Sequence, residues 1–140
     1  MTFLLDTNVV SELRKVDTGM ADARVERWAK NLDLESAFLS VITILELEQG
    51  TLLMERRDRR QGAMLRAWLE SKVLPDFFGR ILNIDVAVVV RRAALNVPDP
   101  CSYRDSLIAA TALIHGMTVV TRNVSDFAST GVSLLNPWEA

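Results

Sequence analysis

The opening stretch Thr2-Phe-Leu-Leu-Asp-Thr-Asn-Val-Val-Ser11 constrains the fold more than any other, because an apolar run ends abruptly in a carboxylate and two further polar side chains. Phe3, Leu4 and Leu5 are consecutive apolar residues, the pattern of a strand covered on both faces, as in a parallel sheet flanked by helices. Such a strand has no wet face on which to carry a charge, so Asp6 belongs at its carboxyl end. In open α/β sheets ligands bind outside that edge. What the chain does then depends on which other side chains reach Asp6.

The remaining segments alternate in the way a doubly wound fold requires. Val9 to Leu13 reads as a short helix, and Val25, Trp28, Ala29 and Leu32 form an i, i+3, i+4, i+7 set on a second one. Ala37-Phe-Leu39 is a second strand, Ser40 is placed to cap, and Val41 to Met54 is a helix whose apolar residues are interrupted by Glu46 and Glu48. Met64, Leu65, Trp68 and Leu69 repeat one helix face after the arginine-rich segment Glu55 to Gln61, which reads as a solvated tip between two helices. Pro75 and Gly79 end this hairpin, and Arg80 to Ile84 is a third strand. Asp85 caps a helix from Val86 to Leu95, and Val97-Pro-Asp-Pro100 forbids its continuation. Ser102 or Asp105 opens a helix over Ser106 to His115 that Gly116 terminates. Thr118 to Thr121 and Val132 to Leu135 complete a set of about five short strands, which implies an α/β fold: a three-layer α/β/α sandwich around a parallel sheet joined by right-handed crossovers. One domain spanning residues 1–140 is expected.

Charge and cysteine usage narrow the partners and the compartment. A net charge of −2 and a pI of 5.4 exclude a surface that coats polyanions indiscriminately, so any nucleic-acid contact must be local. No apolar run approaches membrane-spanning length and no leader pattern opens the sequence, which gives a cytoplasmic expectation with no membrane partner. The single cysteine, Cys101, has no partner for a bridge and reads as a small hydrophobe, in keeping with a reducing compartment.

Four carboxylates occupy positions that this topology brings to one rim: Asp6 after strand one, Glu46 in the second turn of the helix after strand two, Asp105 at the start of the helix before strand four, and Asp126 after strand four. Singly, each has a capping or turn explanation. Glu46 resists it, because a helix starting at Ser40 places this residue past the first turn on an otherwise apolar segment. Two carboxylates about 5 Å apart repel by about 3 kcal/mol at an effective dielectric near 20, so a cluster needs a cation. Without one, the acids are expected to titrate above their ordinary range and to weaken the fold as pH rises. All-oxygen ligation suits Mg²⁺ or Mn²⁺, whereas zinc would require His or Cys ligands. His115, at the end of its helix, reads as a residue favoured by the dipole.

These residues resemble the PIN-domain ribonucleases of the VapC and FitB toxin type, and the resemblance runs nearly end to end. Phe3-Leu-Leu-Asp-Thr-Asn-Val-Val-Ser-Glu12 is similar to the family's opening block, and Ser40-Val-Ile-Thr-Ile-Leu-Glu-Leu-Glu-Gln-Gly50 to its second. Asp105-Ser-Leu-Ile-Ala-Ala-Thr-Ala112, Thr121-Arg-Asn-Val-Ser-Asp-Phe127 and the closing Asn136-Pro-Trp138 follow in the family's order. The resemblance implies a metal-dependent endoribonuclease that acts as the toxin of a toxin–antitoxin pair. Asp6, Glu46, Asp105 and Asp126 would be its catalytic, Mg²⁺- or Mn²⁺-binding acids, with Thr7, Asn8, Ser11, Thr121 and Asn123 as supporting polar residues. It further implies products with 5′-phosphate and 3′-hydroxyl ends, a homodimer, and inhibition by a cognate antitoxin that adds a positive side chain near the pocket. DNA would be met only indirectly, through the antitoxin. Tyr103-Arg104 departs from many relatives, which carry a small residue or proline before the third acid; Arg104 either reaches substrate phosphate or pairs with an acid and slows the site.

Other readings of the same acidic rim make different demands on the sequence. A receiver domain also sets acids at a sheet rim, but it needs a lysine after a late strand, and the last lysine here is Lys72. A non-catalytic PIN-like module that docks a partner, or takes part in a DNA-binding complex, would use the same pocket without turnover. A flap nuclease of the same superfamily needs inserted helical elements for which 140 residues leave no room.

Overall fold

The computed structural model describes all residues, Met1–Ala140. Strand β1 (Phe3–Leu5) lies at the centre of a five-stranded parallel sheet. It is followed by α1 (Thr7–Arg14), α2 (Ala23–Lys30), β2 (Ala37–Ser40) and the long α3 (Val41–Arg57). Helix α4 (Arg59–Trp68) runs through a π-helical stretch, Leu69–Val73, into the single turn α5 (Leu74–Asp76). Then come β3 (Ile81–Leu82), α6 (Val86–Leu95), α7 (Tyr103–His115), β4 (Thr118–Val120) and β5 (Leu134–Leu135).

The strand order is β3-β2-β1-β4-β5, with Phe3 level with Ala37 on one side and Thr118 on the other. The chain winds outward from β1 to β3, then crosses back to the other flank of β1. The direction of winding therefore reverses between β1 and β4, where loops diverge and leave a crevice. β3 and β5 are shorter than the sequence pattern suggests, because each is an edge strand with a ladder on one side only.

Alternation along β1 divides the core into two layers, since successive side chains leave opposite faces of a strand. Leu5 faces a cluster with Val9, Val10, Val25, Leu39, Leu47 and Leu69, roofed by α1, α2, α3 and the π-helical stretch. Leu4 faces Ile108, Ala109, Ala112, Met117 and Phe127, where the small residues let α7 lie close to the sheet. Helix α6 packs outside α7 through Val88 against Leu107 and Ala110.

The helix starts follow the sequence signals. Ser40 caps α3 through Ile42 N–H, Asp85 caps α6 through Val88 N–H, and Ser102, not Asp105, caps α7 by accepting from Asp105 N–H. Gly116 closes α7 at φ 66°, a left-handed conformation that costs a residue with a Cβ. The arginine-rich segment is the exposed tip between α3 and α4. Within that hairpin Gly62 packs so tightly that a Cβ there would meet Glu55 Cα at 2.5 Å. Arg66 bridges the two helices through Glu48 at 2.7 Å and Glu55 at 3.1 Å. No helix is long and apolar enough to cross a membrane.

Candidate functional site

Asp6 ends β1 and caps α1, and it is almost wholly buried at the reversal point. Its backbone N–H donates to Val120 C=O at 2.9 Å, which ties the loop to β4. One carboxylate oxygen, Oδ1, accepts from Thr7 N–H at 2.8 Å, and the other, Oδ2, accepts from the Thr121 hydroxyl at 2.8 Å. A buried charge survives only when so provided for.

Thr7 is the link to the second acid. Its hydroxyl donates to Glu46 Oε1 at 2.5 Å and lies 3.1 Å from the fully buried Thr43 hydroxyl. Glu46 therefore points from the second turn of α3 toward β1, as its place on an apolar segment suggested. Thr121 is held from the other side: Asn123 N–H donates to its hydroxyl at 3.0 Å and Asn8 Nδ2 at 3.4 Å, while Asn8 Oδ1 accepts from Arg122 N–H at 3.3 Å. Ser11 lines the cleft that Thr7, Arg14, Glu46, Thr51 and Trp68 also border.

The acids do not stand unneutralised, contrary to what the sequence suggested. Arg104, in the first turn of α7, lays its guanidinium among three of them. Nη2 donates to Asp6 Oδ1, to Glu46 Oε1 at 2.8 Å and to Thr7 Oγ1 at 3.3 Å. Nε donates to Glu46 Oε2 at 2.6 Å and Nη1 to Asp105 Oδ1 at 2.8 Å. Charge-assisted bonds of this kind are the strong ones, and the planar guanidinium makes several at once.

The expected upward titration of the acids is corrected accordingly for Glu46. Burial works to raise its carboxyl, but hydrogen bonds from Arg104 and Thr7 and the attraction of Arg104 outweigh burial and hold it below the ordinary glutamate value of 4.5. Burial likewise works against the charged form of Arg104, yet its bonds to Glu46 and Asp6 bind its proton more tightly than usual. Asp105, in the first turn of α7, also lies at the positive end of the helix, which favours a carboxylate.

Asp126 is not brought into this set. It lies on the exposed side of the 3₁₀ segment Val124–Thr130, whose buried side is taken by Phe127, and it makes no ion pair. The apolar anchoring of Phe127 decides which way that short segment turns. Of the two roles the sequence leaves open for Arg104, the structure shows pairing with acids; residue order does not choose between them, because the direction of a side chain in a first helical turn depends on its rotamer.

No group of His, Cys, Asp or Glu side chains is closed into a metal site. The donor chemistry nonetheless fits a hard cation: four oxygens from Asp6, Glu46 and Asp105 converge on one guanidinium, and none of these donors is His or Cys. The arrangement can hold a positive charge at the mouth of a crevice, beside the amino-terminal ends of α1 and α7, where anions are favoured.

Comparison with known proteins identifies the family and the fold. Residues 3–132 match the family described as PIN domain. The chain is 38% identical to "VapC ribonuclease Y4jK" of Sinorhizobium fredii, over 97% of each chain. It is 37% identical to "Toxin FitB" of Neisseria gonorrhoeae, over 96% of this chain and 97% of that one. The crystal structure of FitAcB from Neisseria gonorrhoeae superposes with a TM-score of 0.90 at 35% identity, covering 99% of this chain and 100% of that one.

Proposed function

Because the chain belongs to the PIN-domain family, of the VapC and FitB type, we propose that it is an endoribonuclease toxin that hydrolyses RNA phosphodiesters with Mg²⁺ or Mn²⁺ at Asp6, Glu46 and Asp105. The observation that carries the reading is the convergence of those three carboxylates on one cation at the reversal point of the sheet. Asp6, Glu46 and Asp105 would hold the ion, with Asp126, exposed on the Val124–Thr130 segment after β4, as the fourth candidate acid. When bound, such an ion supplies an activated water and positive charge at the phosphate.

The chain's own residues do the positioning. Thr121 and the Thr7 N–H fix both oxygens of Asp6, and the Thr7 hydroxyl fixes Glu46. Asn8 and Asn123 brace Thr121 and the loop after β4. Acids braced in this way on a strand end and two helices are held in register with one another.

The proposed partners follow the relatives. A cognate antitoxin would inhibit the enzyme by laying an apolar segment in the groove of Val10, Leu13, Leu34, Trp68, Val73 and Phe77, beside α1. DNA would be contacted only through it, and the working compartment would be the cytoplasm. A homodimer would form through α3 and α4, where Leu45, Leu52, Leu53 and Met64 are all more than half exposed. The rival reading, a docking module without turnover, draws on the presence of Arg104 in the acid pocket.

Mapping RNA 5′ ends in cells after a pulse of expression tests the proposal. A few discrete new ends bearing 5′-phosphate are expected with the wild type and none with Asp105→Asn. Identical maps would refute ribonuclease action.

A further inference from the structure

Arg104 is the one cation ion-paired with Asp6, Glu46 and Asp105, and it is the residue next to one of them. All three guanidinium nitrogens are engaged, on carboxylates contributed by β1, α3 and α7. A hard divalent ion takes carboxylate oxygens at about 2.1 Å and uses the same lone pairs. It would also stand against the positive charge of the guanidinium. The two cations therefore exclude each other.

We propose that Arg104 is a built-in counter-cation that competes with the divalent ion for Asp6, Glu46 and Asp105, so that the chain rests in a closed state and accepts metal only when Arg104 withdraws. This rests on the metal-dependent reading above. Two features make the exchange feasible. The Arg104 side chain is 32% exposed, so it has a route to solvent. The pocket also keeps its shape without it, because Asp6 retains the Thr121 hydroxyl and Thr7 N–H, Glu46 retains the Thr7 hydroxyl, and α7 retains its Ser102 cap. Arg104 is thus a gate on the acids and not their scaffold.

The apparent affinity of a site open only part of the time falls by the open fraction. If the closed form holds nine-tenths or more of the population, removing the guanidinium tightens metal binding by about tenfold or more. Calorimetric titration of Mn²⁺ into wild type, Arg104→Gln and Arg104→Lys should show that gain for glutamine and a smaller one for lysine. The wild type carries an independent reading. In ¹⁵N-labelled protein the Arg104 Nε–H resonance, protected without metal, should move toward the position of a free arginine as Mg²⁺ is added. Equal or weaker Mn²⁺ binding by Arg104→Gln, or an unmoved Arg104 resonance while Mg²⁺ saturates the site, overturns the gate and leaves the metal-dependent reading standing. Absence of Mn²⁺ binding in wild type and both variants overturns both.

Discussion

Replacing Thr121 by valine removes a hydroxyl and almost no volume, at a position with no exposed surface. That hydroxyl is the sole donor to Asp6 Oδ2, at 2.8 Å, and Asp6 is itself 1% exposed. A hydrogen bond to a charged group contributes about 1.5–3 kcal/mol, and an acceptor left buried without a donor adds to the loss. The Asn123 N–H, which donates to the same hydroxyl, is only partly buried and can turn to water. Thr121→Val should therefore cost about 2–3 kcal/mol, and for a chain of this size that lowers Tm by roughly 6–12 °C. Thr121→Ser keeps the donor and loses a methyl group, so it should cost only about 1 kcal/mol. Thermal and urea unfolding of the three proteins at pH 7 in chelator reads the difference. A valine variant within about 0.5 kcal/mol of wild type would mean that Asp6 does not depend on this hydroxyl, and the account of how the pocket is held would fail.

Three further outcomes follow from the same geometry. Glu46 titrates below its ordinary range in the folded chain, so its contribution to stability is present above about pH 4.5 and is lost as pH falls through the lower folded value; acid unfolding in chelator should be less steep for Glu46→Gln, and an unchanged acid limb would contradict the pairing with Arg104. Asp105→Asn should leave metal-free stability within about 1 kcal/mol of wild type, because it removes attraction to Arg104 and repulsion toward the other acids together; a loss above about 3 kcal/mol in chelator would show a structural role instead. Leu45→Glu combined with Leu53→Glu should convert a dimer to a monomer in light scattering with no change in the far-ultraviolet circular dichroism spectrum, and a wild type that is already monomeric at micromolar concentration would remove the dimer proposal.

Much of the fold could be read from local chemistry. β1 and β2 were visible because buried parallel strands are short apolar runs, and the starts of α3 and α6 because Ser40 and Asp85 precede them as caps. Glu46 stood out for a physical reason: a carboxylate past the first turn of an apolar helix needs a partner, and Thr7 and Arg104 supply one. What escaped the sequence depends on side-chain direction. Tyr103-Arg104-Asp105 begins a helix, and nothing in the residue order says that the guanidinium turns inward while Tyr103 stays exposed with Arg92 stacked on its ring at 3.9 Å. Asp126 stays outside the ion-paired set for a similar cause, since one buried aromatic neighbour, Phe127, anchors a short 3₁₀ segment that has no periodic pattern of its own.

The most direct test of the central claim is cleavage of an RNA pool by the purified protein, with Mg²⁺ or Mn²⁺ or in chelator, beside an Asp105→Asn control shown to be folded. The proposed metal-dependent function predicts RNA fragments from the wild type in metal, with the 5′-phosphate ends that the family resemblance implies, and none in chelator or from the variant. Cleavage that persists in chelator, or that Asp105→Asn carries out as fast as wild type, would contradict the assignment of the acid pocket as the active site.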